Sequence, residues 1–319
     1  MAKEIKLRMI FMGTSRLSEK IFESLLENKY NIVGVFTKPD SKTGRNQGMT
    51  SPAVKILAQK HKIPVFQPER FDDQAVKELE KLKPDLAVVA AYGKILPKAA
   101  LELPAFGCIN VHVSLLPKYR GPSPIQNALL QGEKETGVTV MLMDEGIDSG
   151  DILAQKAIPI KPHDNTKILS DELAVLGAEL LLETIPLWVK RKIQPKPQDH
   201  SRATLCQLIE REDGHIYWSE TAEAIYNRYR ALSPWPGIFS YWKNNDNLVR
   251  LKLLSIYLQK INPIEKHAEG EVFEIGDGIG VQTSRGVIII KEIQKEGKRP
   301  MSVKDFIIGA QGFIGSILQ

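Results

Sequence analysis

Apolar and polar positions in the first half of the chain switch between two rhythms. Residues 6–12, ending in the apolar Met9 to Met12 and closed by Gly13, predict a buried strand. Leu17, Ile21, Phe22, Leu25 and Leu26 then recur at helical spacing. Residues 31–37 predict a second strand, 52–61 a helix with proline in its first turn, 64–66 a short strand and 72–82 another helix. The most apolar strand is expected over 85–92, followed by a short helix after Pro97. Strands alternating with helices imply an α/β unit, a Rossmann-like open and mainly parallel sheet with right-handed crossovers. Ligands in such sheets bind beyond the carboxyl ends of the strands.

Residues 107–114 break the apolar rule. Ile109 and Val111 alternate with Asn110, His112 and Ser114, and side chains alternate across a strand, so the three polar groups share one face. A buried strand carries such a row only where something polar lies opposite, which marks this face as the candidate active site. Residues 136–143 predict a further strand running into the acidic, glycine-containing loop 144–151, which lacks the spacing of an EF-hand. Two glycines there allow a tight loop to aim a carboxylate inward. A long amphipathic helix is expected over 166–189, then an extended proline- and lysine-rich linker. Beyond it the pattern changes to a helix over 222–232 and short strands over 238–242, 248–258, 271–275, 280–283 and 287–293, with hairpin turns at 244–247 and 284–286. That pattern predicts a small C-terminal OB-like β-barrel. Ser302 and Asp305 have the spacing of a capping box opening a last helix.

Composition changes the picture at three points. No apolar run approaches the roughly 20 residues of a membrane span, and residues 1–8 do not read as a secretory leader. The two cysteines, Cys108 and Cys206, sit in unrelated contexts, so neither a disulfide framework nor a cysteine metal site is expected; a reducing cytoplasm fits. The net charge of +5 is concentrated. Residues 186–208 hold five cations, Lys190, Arg191, Lys192, Lys196 and Arg202, against the single anion Asp199. Such a cluster is a candidate phosphate contact. The polar loop 38–51, with Lys38, Lys42 and Arg45, is a second basic feature and should overhang the carboxyl edge of the sheet. Gly13-Thr14-Ser15 is not a dinucleotide fingerprint, and no P-loop follows any strand.

Asn110 and His112, with a carboxylate from the acidic loop, form a usable chemical set. An asparagine amide can hold a carbonyl oxygen as it becomes an oxyanion, a service typically worth about 3–4 kcal/mol. The histidine can donate to the same oxygen or take a proton from an attacking amine, help worth roughly 10²–10⁴-fold. The set contains no nucleophile, and no G-x-S-x-G elbow is present. Direct acyl transfer from a donor to an amine is therefore expected.

Asn110-Val111-His112-Val113-Ser114-Leu115-Leu116-Pro117 with Arg120-Gly121, then Met143-Asp144-Glu145-Gly146-Ile147-Asp148-Ser149-Gly150, and Ala91-Tyr92-Gly93-Lys94-Ile95-Leu96-Pro97 resemble the folate-dependent formyltransferases. The loop after the second strand and the C-terminal domain with Trp235-Pro236-Gly237 are similar to the branch of that family acting on tRNA. The resemblance implies 10-formyltetrahydrofolate as donor, no metal, and the α-amine of initiator methionyl-tRNA as acceptor. It implies Asn110, His112 and Asp148 as catalytic residues. Ser114, Leu115, Leu116, Pro117, Lys94 and Leu96 would contact folate, and Lys38, Lys42, Arg45, Arg120, Lys190, Arg191 and Lys192 would contact tRNA. The implied organisation is a catalytic domain over 1–189, a basic linker over 190–208 and a tRNA-binding domain over 209–319, working as a cytoplasmic monomer without membrane or DNA partners. Val113 replaces a commonly small residue, and Ser149 stands where threonine is common. The rival readings are the same chemistry on an amino-sugar nucleotide and a non-catalytic RNA-binding homologue.

Overall fold

A computed structural model describes residues 7–43, 48–245, 247–260, 267–276 and 278–319. The chain divides into two compact units. One comprises Met1–Pro124, Glu135–Ile160 and Leu169–Gln207; the other comprises Ile125–Lys134, Lys161–Ile168 and Leu208–Gln319.

The first unit is built on seven strands: β1 (Arg8–Gly13), β2 (Asn31–Phe36), β5 (Val65–Phe66), β6 (Leu86–Ala90), β7 (Cys108–His112), β8 (Glu135–Leu142) and β9 (Ile152–Pro159). Their order is β5-β2-β1-β6-β7-β8-β9. The pairs from β5 to β7 are parallel, and β8 and β9 then join antiparallel. Helices α1 (Arg16–Glu27), α2 (Ala53–Lys60), α3 (Asp73–Lys81) and α4 (Lys98–Glu102) follow the strands as the periodicity predicts. The sequence pattern does not predict α5 (Pro124–Leu130), which falls mostly in the second unit, or β9. β9 joins the end of the sheet through β8, and of its eight residues four are exposed, three intermediate and one buried, so its apolar alternation is weak.

The first turn is shaped for packing. Ser15 caps α1 by accepting from the Ser18 backbone, and the Ser18 hydroxyl donates to the Ala90 carbonyl at 2.6 Å. A Cβ on Gly13 would meet Ser18 Cβ at 2.7 Å and Ala90 O at 2.9 Å. Glycine here serves the close approach of α1 to the end of β6.

Loop 38–51 contains a hairpin of β3 (Ser41–Thr43) and β4 (Gly48–Thr50), with Lys42 opposite Met49. Arg45 lies outside the described residues. Asp40 anchors the base, accepting from Lys55 Nζ at 2.8 Å, Gln67 Nε2 at 2.9 Å and Ser51 Oγ at 3.0 Å. The Lys55 and Gln67 donors hold its carboxyl well below the usual range, at about 2.

Helix α6 (Thr166–Val189) forms over the predicted span. The second unit carries α7 (Ala222–Leu232), β10 (Ile238–Asn244), β11 (Asn247–Gln259), β12 (Val272–Ile275), β13 (Gly278–Gln282), β14 (Val287–Lys295), β15 (Met301–Ser302) and α8 (Val303–Ile308). Its strands run antiparallel in the order β10-β11-β14-β13-β12, with β15 on β14. The chain end lies between the two open edges: Leu318 bridges Trp242 of β10, and Ile317 bridges Glu271 beside β12. The result is a curved antiparallel half-barrel sheet. Ser302 caps α8 by accepting from the Asp305 backbone at 3.1 Å.

Two predictions follow from these contacts. A Cβ on Gly137 of β8 would meet Lys156 O at 2.2 Å and Leu115 Cδ2 at 2.5 Å. Gly137→Ala should lower stability by about 1–3 kcal/mol, read as an earlier urea midpoint; a parental midpoint would contradict the packing. For Asp40, an unfolded aspartate titrates near ~3.9, above the folded value of about 2. Its contribution is therefore present above about pH 4 and is lost as pH falls toward about 2. A carboxyl-carbon NMR titration should place the midpoint near that depressed value, and Lys55→Met should move it back up. An unmoved midpoint would remove Lys55 as the principal cause.

Candidate active site

The polar face predicted on the fifth parallel strand is real and buried. Asn110 and His112 are 8% and 6% exposed, on the strand where the sheet changes from parallel to antiparallel. His112 is the last residue of β7, at its carboxyl end. Ser114 lies past the strand, and its hydroxyl donates to the Lys118 carbonyl at 2.7 Å, closing the turn that follows.

Asp148 completes the cluster. Asn110 Nδ2 donates to Asp148 Oδ1 at 3.1 Å, and His112 Nδ1 lies 3.5 Å from Asp148 Oδ2. The Gly121 amide donates to Oδ2 at 2.9 Å. His112 Nε2 sits 2.9 Å from the Tyr119 carbonyl; a carbonyl only accepts, so Nε2 carries the hydrogen and Nδ1 is the nitrogen turned to the carboxylate.

The loop bearing Asp148 is folded on itself. Asp144 accepts from the Gly146 amide at 3.0 Å and from Ser149 Oγ at 2.8 Å, so the Ser149 hydroxyl serves the loop rather than the cluster. A Cβ on Gly150 would lie 1.8 Å from Leu142 O, which is why the loop re-enters the sheet at a glycine. Asp148 itself has φ 48°, in the left-handed region where aspartate is among the better-tolerated residues.

The turn after β7 is held from below. Thr139 Oγ1 donates to Ser114 O at 2.6 Å and accepts from the Leu116 amide at 3.1 Å; Gln155 Nε2 donates to Leu116 O at 2.9 Å. The Leu116–Pro117 bond is cis. Leu116 and Leu96 are buried, so each can offer a ligand chiefly its backbone, while Leu115 and Pro117 are half-buried. Lys94 donates from Nζ to the Glu69 carbonyl. A cleft of about 450 Å³ at the carboxyl edge is lined by Thr14, Lys38, Asp40, Ser51, Glu69 and Lys94, so it joins a residue expected at tRNA to one expected at folate.

The other expected contacts divide. Lys42, Lys190, Arg191 and Lys192 are exposed. Arg120 is not on the surface: it is 7% exposed, and its guanidinium donates to Gln198 Oε1 at 3.1 and 2.8 Å. The basic linker is also less free than its composition suggests. Lys196 exchanges backbone hydrogen bonds with Ile152 at 2.8 and 2.9 Å, and Arg120 pairs with Thr204 and Cys206 at 2.9 and 2.8 Å. Sequence reasoning missed Gln198, Thr139, Gln155 and the Gly121 amide. No local pattern distinguishes them, because each acts on a backbone or carboxylate group distant in sequence.

Burial pushes the Cys108 thiol up to about 12 and also raises Cys206, where Asp148 adds to the effect. Both therefore stay protonated thiols near neutrality, and neither supplies a thiolate. Among the described residues, no group of three or more His, Cys, Asp or Glu side chains is placed to hold a metal ion, and no helix is long and apolar enough to cross a membrane.

Known proteins match over nearly the whole chain. The family described as formyl transferase matches residues 6–185, and that described as formyl transferase, C-terminal domain, matches 208–311. The methionyl-tRNA formyltransferase of Caldicellulosiruptor saccharolyticus is 44% identical over 313 residues, covering 97% of this chain and 99% of the relative. That of Syntrophus aciditrophicus is 42% identical over 318 residues, covering 98% and 99%. Among solved structures, an N-formyltransferase from Helicobacter canadensis with folinic acid and dTDP-3-aminofucose superposes with TM-score 0.67 at 21% identity, covering 91% of this chain and 99% of that one. HypX from Aquifex aeolicus in complex with tetrahydrofolic acid superposes with TM-score 0.65 at 18% identity, over 97% of this chain. The chain spans about half the length of HypX, 48%.

Proposed function

The chain belongs to the formyl transferase family, and from that premise we propose that it transfers the formyl group of 10-formyltetrahydrofolate to the α-amino group of methionyl initiator tRNA. The observation that carries the reading is the buried Asn110–His112–Asp148 cluster at the carboxyl end of β7, in a chain whose relatives of this name align from end to end.

Bound 10-formyltetrahydrofolate would supply a formyl group already activated on nitrogen. The residues present fit such a donor. Ile95 and Ile147 are large apolar side chains left 80% and 63% exposed, on loops that the Lys98–Glu145 pair joins at 3.4 Å. Such apolar side chains can flank a flat ring.

Each residue of the cluster then has a chemical task. As the amine nitrogen bonds to the formyl carbon, negative charge grows on the formyl oxygen. Asn110 commits one amide hydrogen to Asp148, and its second can meet that oxygen. His112 Nδ1 can take the proton the amine must lose, and Asp148 beside it stabilises the imidazolium so formed. The same ring can return a proton to the nitrogen that departs from the formyl carbon, so atoms and charges balance without a covalent enzyme intermediate. No cysteine competes for this role, since both thiols are held protonated.

Two basic surfaces support a nucleic-acid acceptor: Lys38 and Lys42 in loop 38–51, with Arg45 assigned there from the sequence, and Lys190 to Lys192 at the end of α6. The second unit adds an exposed aromatic side chain, Tyr217, which meets the half-buried His215 edge-on at 4.7 Å, and a half-buried cation, Arg250, which covers the buried Phe239 ring at 3.5 Å. Such surfaces suit phosphate and base contacts. Arg120, being buried against Gln198, is left out of this set.

The deciding experiment measures formylation of initiator methionyl-tRNA alongside elongator methionyl-tRNA and dTDP-amino sugars. Initiator tRNA should be preferred; preference for the sugar would overturn the acceptor assignment. Asn110→Ala, His112→Ala and Asp148→Ala should each lower kcat by at least about 10²-fold, and parental rates in all three would remove the cluster from catalysis. Replacing Lys190, Arg191 and Lys192 by alanine should weaken tRNA binding and flatten its dependence on salt. An unchanged salt slope would take this segment out of the footprint.

A further inference from the structure

Gln198 lies in the segment after α6, in the same compact unit as the Asn110–His112–Asp148 cluster, and is 5% exposed. Its side chain uses both ends. Nε2 donates to the Asp148 carbonyl at 2.9 Å and to the Gly150 carbonyl at 2.7 Å. Oε1 accepts from Arg120 Nε at 3.1 Å and Nη2 at 2.8 Å. Arg120 Nη2 is also 3.3 Å from His200 Nδ1, which serves as an acceptor there.

Those contacts join the two loops that define where the Asp148 carboxylate sits. One is the Asp148 loop itself. The other is the Arg120–Gly121 turn, whose amide donates to Asp148 Oδ2. Asp148 is in the left-handed backbone region, φ 48°, and both its carboxylate and its carbonyl are held from outside its own loop. Asn110 and Gly121 hold its carboxylate, and Gln198 holds its backbone carbonyl. Gln198 is itself fixed by neighbours on both sides: Lys196 is paired with Ile152, and Asp199 caps the short turn His200–Arg202 by accepting from the Ser201 amide.

We propose that Gln198 is a positioning residue for the transfer reaction, holding Asp148 in register with Asn110 and His112 through the Asp148 and Gly150 carbonyls and through Arg120; the inference rests on the formyl-transfer reading given above. A group that only stabilised the fold would change melting and leave turnover alone. A group that sets the place of Asp148 changes turnover, because a displacement of about 1 Å can cost on the order of 10²-fold in rate. It leaves substrate affinity nearly untouched, since Gln198 spends its hydrogen bonds within the chain.

The test uses the full chain with Gln198→Met, which keeps the length and removes every hydrogen bond, and Gln198→Glu, which keeps an acceptor for Arg120 and removes the donor to Asp148. The expected result is a fall in kcat of about 10–100-fold in both, with KM for folate and for tRNA within about twofold of the parent. Alongside it, the Gly121 amide, followed by NMR in D2O, should exchange faster. If Gln198→Met does not fold, Gln198→Glu with its retained Arg120 pair carries the comparison. A folded Gln198→Glu protein with parental kcat overturns the proposal, as does a fall in kcat with Gly121 exchange unchanged. Absence of formyl transfer in the parent would count against the reaction itself. Parental Gly121 exchange in the variants would then separately refute the positioning contact.

Discussion

The structure of the first unit turns on the burial of Asn110 and His112 at the end of one strand. A buried amide and a buried imidazole are costly unless their polar atoms are paired. Asn110 is paired with one oxygen of the Asp148 carboxylate and His112 Nε2 with the Tyr119 carbonyl, while the second carboxylate oxygen faces His112 Nδ1. That arrangement demands a loop that enters beside β7 and turns back within a few residues. The Gly150 approach to Leu142 and the left-handed Asp148 backbone answer that demand. The antiparallel addition of β8 supplies the opposite wall, since Asn110 lies across from Met141 and His112 from Thr139.

Thr139 shows how one side chain can serve both floor and wall. Its hydroxyl lies under the 114–116 turn, accepting from one backbone group and donating to another. Gln155 reaches the same turn from β9. The surface expected to meet folate is thus a backbone ribbon whose shape is set by two polar residues on the antiparallel edge. A ligand-binding turn held in this way is pre-organised, so less of its conformational entropy is lost on binding.

The chain around Gln198 changes the meaning of a linker. Its cations, Lys190 to Lys192, Lys196 and Arg202, are exposed, while the backbone from Lys196 to Cys206 hydrogen-bonds to the rest of the first unit. The segment is therefore both a charged surface and a structural rib. The hairpin in loop 38–51 has a comparable division, with Lys42 exposed on β3 and a base pinned through Asp40 to Lys55, Ser51 and Gln67.

Much of this was legible in the order of residues alone. Strands and helices through α3, α6 and the C-terminal strands follow from hydrophobic periodicity, because burial of one face imposes a period on the sequence. Asn110 and His112 stood out because alternation on a strand is local, and a polar row against that pattern is visible without coordinates. Asp148 was reachable through the motif that carries it. What only the tertiary structure decided is contact between distant segments: Arg120 turned inward to Gln198, the linker laid along the 117–121 turn, and β9 added at the edge. Hydrogen bonds to backbone carbonyls leave no periodic trace in sequence, since any residue supplies the acceptor, so the partners of Gln198 appear only once the chain is folded.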